Sequence, residues 1–208
     1  MANLIRVVGI GPGSPEYITP AAEAMVRDSD VLIGGERALK AFDSLNKKRF
    51  LIKNNLKEMV DFINKHRIDF KVAVLASGDP SFFGILEFLK RNFSKSELEV
   101  TPGISSAQLA CARLCISWHD AAFFSVHGRN TEGLCRIARE FGKVIVLTDP
   151  KNTPGVIARG LVREGLSARK VYVCENLSTD DEGITEWEIC SVPESVGPEG
   201  CVMVISDE

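Results

Sequence analysis

Short apolar runs rich in β-branched residues recur along the chain, at 5–10, 31–33, 50–52, 72–76, 98–100, 123–126, 144–147, 171–174 and 201–205, and amphipathic stretches separate most of them. Runs of this length suit strands buried on both faces, and such strands belong to sheets that helices cover. The alternation predicts an α/β chain with a parallel-rich N-terminal sheet. Helix starts fall where it needs them. Thr19-Pro20 and Thr153-Pro154 are N-cap and N1 pairs, Ser105-x-x-Gln108 has the form of a capping box, and a further helix is expected over 82–91 behind Asp79. Between Asn55 and His66, Leu56, Met59, Val60 and Ile63 share one helical face. The pattern is weakest around Cys115-Ile116-Ser117-Trp118-His119-Asp120, which suggests two α/β domains, 1–118 and 119–208. The second sheet should be mixed, with 184–190 and 201–206 pairing antiparallel across the Pro/Gly-rich turn at 193–200.

Charge narrows the function. Among 208 residues, 25 Lys and Arg oppose 28 Asp and Glu, so the basic footprint of a nucleic-acid binder is missing and no nucleic-acid partner is expected. No apolar stretch approaches the roughly 20 residues of a bilayer-spanning helix, so no membrane association is expected. The first residues lack the order of a signal peptide, which makes the cytoplasm the expected location. The six cysteines form no CxxC and read as reduced, mostly buried residues. Cys111, Cys115 and His119 would share a face only if one helix ran through all three, and Ile116-Ser117-Trp118 reads as a helix exit; no metal site is expected.

Ligands of open α/β sheets bind beyond the carboxyl ends of strands, so the residues after each apolar run are the candidates. Gly9-Ile10-Gly11-Pro12-Gly13 could bring a backbone close to a ligand, but as a dinucleotide fingerprint it fails at Ser14, and Pro12 removes an N–H that a phosphate would use. Glu36 stands near where a ribose-binding acid would fall, which keeps a nicotinamide oxidoreductase as the rival chemistry. Ser77-Gly78-Asp79-Pro80 delivers a carboxylate that could accept from a ribose or an amine, or could simply cap the next helix. Thr101-Pro102-Gly103-Ile104-Ser105-Ser106 feeds a helix N-terminus, and Leu147-Thr148-Asp149 and Cys174-Glu175-Asn176-Leu177 repeat the theme of polar residues behind a strand.

Taken in order, the Gly9 loop, the Gly78-Asp79-Pro80 strand end and the Pro102-Gly103 turn resemble the tetrapyrrole methylase family, and the likeness spans the chain. Ile33-Gly34-Gly35-Glu36-Arg37, Ser125-Val126-His127-Gly128-Arg129 and Leu147-Thr148-Asp149-Pro150 are most similar to members that methylate carbon 5 of cobalt-precorrin-7 in cobalamin biosynthesis. The resemblance implies two α/β domains of the class III methyltransferase type, a homodimer, and S-adenosylmethionine in the cleft between the domains. It assigns the cofactor to Gly78, Asp79, Ser105, Ser106, Leu147, Thr148, Glu175, Asn176 and Leu177, and turns Gly11, Pro12 and Gly13 toward the tetrapyrrole. The precorrin carboxylates call for local positive charge, for which Arg37, Lys40, Arg113 and Arg129 are the candidates, and His127 could serve as a general base. Some relatives fuse a second domain that acts at carbon 15; here the chain stops at Glu208, so that reaction is expected of a separate protein. Diphthine synthase, a ribosomal-RNA methyltransferase, which should be more basic, and a non-enzymatic tetrapyrrole carrier are the other readings.

Overall fold

The computed structural model describes residues 2–126, 131, 133–197 and 200–207. Its contacts divide the chain into two units, Met1–Ser105 and Ser106–Glu208.

The first unit holds five strands: β1 (Ile5–Gly9), β2 (Val31–Gly34), β3 (Lys48–Leu51), β4 (Val72–Ala76) and β5 (Leu98–Thr101). They run in the order β3-β2-β4-β1-β5, with every pairing parallel. Side chains alternate across such a sheet, and the core divides accordingly. Ile5 and Val7 of β1, with Val72 and Val74 of β4, pack on Met59 and Ile63 of α3 (Leu56–His66) and Leu89 of α4 (Leu86–Lys90). Val8, Leu32, Ala73 and Leu75 pack on Ala22 and Val26 of α1 (Pro20–Arg27) and Ala38 and Leu39 of α2 (Glu36–Lys40). Met59 and Ile63 are fully buried, each worth about 1.5–3 kcal/mol of apolar transfer. Thr19 caps α1 by accepting the Ala22 N–H at 3.2 Å, with Pro20 in the first turn. The connection leaving β1 runs one way along the sheet and the one leaving β4 runs the other, so their carboxyl ends lie at a topological switch point.

The expected helix over 82–91 is shorter. Phe83 has φ +52 and a Cβ on Gly84 would fall 2.6 Å from the Pro80 carbonyl oxygen, so a non-helical turn occupies that stretch and α4 starts at Leu86.

The second unit comprises α5 (Ser106–Leu114), β6 (Ala122–Ser125), α6 (Leu134–Glu140), β7 (Lys143–Leu147), α7 (Pro154–Arg163), β8 (Lys170–Glu175), β9 (Gly183–Glu188) and β10 (Val202–Ser206). Its sheet, ordered β6-β7-β10-β8-β9, is mixed: β6 and β7 are parallel, and the other pairings are antiparallel. The expected pairing of 184–190 with 201–206 is not made. Instead β10 enters between β7 and β8, and β9 joins the far side of β8. Burial explains the exchange. All five β10 residues are buried, as a central strand requires, whereas β9 alternates half-buried with exposed residues and suits an edge.

α5 packs against β10 and so belongs to the second unit, whereas the boundary expected at 118/119 lies beyond it. α5 ends at Leu114, Cys115 takes φ +55, and the Ile116 N–H returns to the Cys111 carbonyl at 3.0 Å, so Cys111, Cys115 and His119 do not share a helix. All six cysteines are free thiols. Cys111 and Cys174 are buried, but Cys115 and Cys190 are exposed, contrary to the expectation of mostly buried cysteines; Cys115 follows the end of α5 and Cys190 lies within the single 3-10 turn Ile189–Ser191.

Candidate active site

At the carboxyl ends of β1, β4 and β5, the three glycine segments that the sequence spaces far apart become one junction. Beyond β1, the Ile10 N–H donates to the Ala76 carbonyl at 3.0 Å. Gly11 and Gly78 then exchange two backbone hydrogen bonds, Gly78 N–H to Gly11 O at 2.7 Å and Gly11 N–H to Gly78 O at 3.3 Å. Both have positive φ, +80 and +66. A Cβ on Gly9 would fall 2.5 Å from the Gly103 nitrogen, and one on Gly103 would collide with the Gly78 carbonyl oxygen. Backbones meet here at a separation that only glycine permits.

Asp79 ties the junction together. Its Oδ2 accepts the Gly103 N–H at 3.1 Å, and its Oδ1 accepts the Ser81 N–H at 2.7 Å and the Ser81 hydroxyl. It does not cap a following helix, which begins only at Leu86. A carboxylate offers about four acceptor sites, so half-buried Asp79 keeps capacity for a ligand hydroxyl or ammonium. Ser105 is buried directly ahead of α5, and half-buried Ser106 opens it. Pro12 is half-buried and Gly13 exposed; behind them a single 3-10 turn, Pro15–Tyr17, precedes α1. That geometry removes the nicotinamide reading. A dinucleotide loop leads straight into a helix N-terminus, whereas here the Gly11 backbone is spent on Gly78 and the helix starts only at Pro20. Glu36, Arg37 and Lys40 are exposed on α2.

In the second unit the strand ends are held by side chains. Buried Thr148, past the end of β7, donates its N–H and its hydroxyl to the Cys201 carbonyl, both at 3.0 Å, and its Oγ1 accepts the Cys201 N–H at 2.8 Å. Half-buried Leu147 precedes it, and buried Asp149 follows, its Oδ1 accepting the Lys151 and Asn152 N–H groups at 2.9 and 2.8 Å. At the end of β8, Glu175 Oε1 accepts the Gly197 N–H at 3.1 Å. Asn176 (φ +48) and Ser178 (φ +70) then bend the chain around buried Leu177. The Asn176 carbonyl accepts the Thr179 N–H at 3.0 Å, and the Ser178 N–H donates to Glu182 Oε2 at 2.6 Å.

Arg113, proposed from the sequence for substrate carboxylates, is instead engaged by Glu182, with Nε to Oε1 at 2.6 Å, and this pair holds the Glu182 carboxyl below its ordinary range. Burial pushes the Cys174 thiol up to about 12 and Cys201 up to about 11, so neither is a thiolate near neutral pH. His127 and Arg129 lie outside the described residues. His119 is exposed, with its Nδ1 2.6 Å from the Ser117 hydroxyl. Among the described residues, no three His, Cys, Asp or Glu side chains are grouped to hold a metal ion, and no helix is long and apolar enough to cross a membrane. Sequence reasoning missed the Thr148–Cys201 clip and the left-handed turn at Asn176 and Ser178. Asn176 carried a signal, since Asn tolerates positive φ, but the clip spans residues far apart in the chain.

A parallel sheet with a glycine junction at its switch point, joined in sequence to a mixed sheet with polar strand ends, defines an α/β enzyme built to hold a small molecule beside backbone. The chain belongs to the tetrapyrrole (corrin/porphyrin) methylase family, whose model matches residues 5–192. It is 38% identical over 188 residues to the probable cobalt-precorrin-7 C(5)-methyltransferase of Methanocaldococcus jannaschii, covering 88% of each chain. It is 36% identical over 183 residues to the cobalt-precorrin-7 C(5)-methyltransferase of Salmonella typhimurium, covering 87% of this chain and 89% of the relative. The fold matches that of the uroporphyrin-III C-methyltransferase of Thermus thermophilus, solved in complex with S-adenosylhomocysteine, with a TM-score of 0.80, 20% identity, and 99% and 98% of the two chains covered.

Proposed function

We propose that the protein transfers a methyl group from S-adenosylmethionine to carbon 5 of cobalt-precorrin-7. The observation that carries this reading is the junction of Gly9, Gly78, Asp79 and Gly103, built from the segments by which the chain resembles the family. The two relatives bearing that activity in their names support the choice of substrate.

The residues present fit the donor. Gly78 supplies the positive φ that turns the chain at the end of β4, and the Asp79 carboxylate keeps acceptor capacity for hydroxyls or an ammonium. The family resemblance assigns Ser105, Ser106, Leu147, Thr148, Glu175, Asn176 and Leu177 to the donor as well. When bound, S-adenosylmethionine supplies a methyl group already activated on a sulfonium. The chain's own task is to hold the acceptor carbon in line and keep water out, for which no protein nucleophile is needed. The protonated thiols of Cys174 and Cys201 suit that requirement. Gly11, Pro12, Gly13, Arg37 and Arg129 take the tetrapyrrole side, and His127 takes the proton as the macrocycle rearranges. The reading extends to a cytoplasmic homodimer that works beside a separate carbon 15 methyltransferase.

Calorimetric titration tests the donor assignment. The expected result is binding of S-adenosylhomocysteine and none of NAD, with Asp79→Ala weakening the former about tenfold, or about 1.4 kcal/mol. Binding of NAD alone, or unchanged affinity in Asp79→Ala, would contradict it.

A further inference from the structure

We propose that Phe83 is a substrate-contacting residue whose ring packs on the face of the tetrapyrrole macrocycle, an inference that rests on the function proposed above. A bulky aromatic at φ +52 is a genuine backbone outlier, and such outliers persist where surrounding structure over-determines them and function uses them. The other described non-glycine residues at positive φ have milder reasons: Asn46 and Asn176 tolerate the conformation, Ser178 is small, and Cys115 closes a helix.

Nothing comparable favours Phe83, yet the turn forces it there. The Phe82 N–H donates to the Asp79 carbonyl at 3.2 Å, the Leu86 N–H donates to the Pro80 carbonyl at 3.1 Å, and Gly84 lies so close to Pro80 that a Cβ would not fit. The result is a large apolar ring 40% exposed, in the turn that leaves Asp79. Half-buried Phe82 braces it edge-on, with centroids 4.9 Å apart and planes at 72°. An exposed ring held stiffly by its backbone loses little freedom on contact and suits a flat conjugated ligand. Carboxylates around the rim of such a ligand leave its face as the apolar surface to cover.

Phe83→Asn and Phe83→Gly remove the ring while easing the backbone, so neither should lower the melting temperature. Steady-state kinetics with cobalt-precorrin-7 should show KM raised about tenfold in both, with kcat within about threefold of wild type and Phe83→Tyr restoring the wild-type KM. Calorimetry should give S-adenosylhomocysteine affinity within about twofold of wild type. An unchanged KM in Phe83→Asn, with active wild type, overturns this role and leaves the proposed function standing. Loss of S-adenosylhomocysteine affinity in step with KM would assign the ring to the adenine and also overturn it. Wild type that neither binds nor methylates the tetrapyrrole overturns both.

Discussion

The two units differ in how much their strand ends owe to side chains. In the first, backbone meets backbone: Gly9 and Gly103 approach each other and the Gly78 carbonyl so closely that a Cβ on either would intrude, and Asp79 adds one side-chain tie. In the second, side chains add the ties: Thr148 clips Cys201 beside the backbone bond between the same two residues, Glu175 holds Gly197, and Glu182 holds Ser178. A glycine junction holds by close backbone approach and backbone hydrogen bonds and admits no side chain at Gly9 or Gly103, whereas side-chain clips can be removed singly, each at the cost of one unsatisfied group.

The largest test of that contrast is Gly103→Ala. Its Cβ meets the Gly78 carbonyl, so it should destabilise the first unit by about 3 kcal/mol, the upper end for overpacking. Hydrogen exchange should show protection lost in β1, β4 and β5 and retained in β7, β8 and β10; equal loss in both units would break the comparison. Next comes Thr148→Val, which keeps the shape but strands the Cys201 N–H. Urea unfolding should register about 2 kcal/mol, and a cost below about 0.5 kcal/mol would mean that the clip is ornamental. Gly160→Ala is the counterpart to Gly103→Ala. Gly160 lies inside α7 with nothing near its missing Cβ, so the substitution should stabilise by about 0.5–1 kcal/mol.

The smallest effect is that of pH. Lys71 and Arg6 hold the Asp28 carboxyl down to about 2, and Arg67 and Ser94 do the same for Glu97, all in the first unit. Folded pKa values below the unfolded ones mean that this stability is fully present above the ordinary carboxylate range near 4 and is lost as pH falls through about 2. The melting temperature should be flat from about pH 7 to 5 and decline below about 4; because the Asp28 carboxylate is exposed and that of Glu97 only half-buried, about 1 M salt should blunt the decline. A decline that begins above about pH 5 would point to other groups.

What the sequence disclosed follows the same divide. Strands, the Thr19 and Thr153 caps and the glycine segments are legible because each is a local signal: an apolar run, a capping oxygen, a residue without Cβ. The insertion of β10 was hidden because its pairing joins Val202 to both Leu147 and Cys174, distant in the chain, while proximity argued for a hairpin with 184–190. Asp79 was legible as a carboxylate at a strand end but not as the partner of Gly103, and nothing local marks Phe83 for a left-handed turn inside a helix-like pattern. The resemblance to a family named the candidate site residues in both units, whereas the polar clips of the second unit emerged only from the coordinates.

Incubation with S-adenosylmethionine carrying a carbon-13 methyl group, together with cobalt-precorrin-7, followed by carbon NMR of the product, tests the central claim most directly. The proposed reaction requires one new labelled methyl resonance on carbon 5 of the macrocycle. Label at any other carbon, or none in the macrocycle, would contradict it.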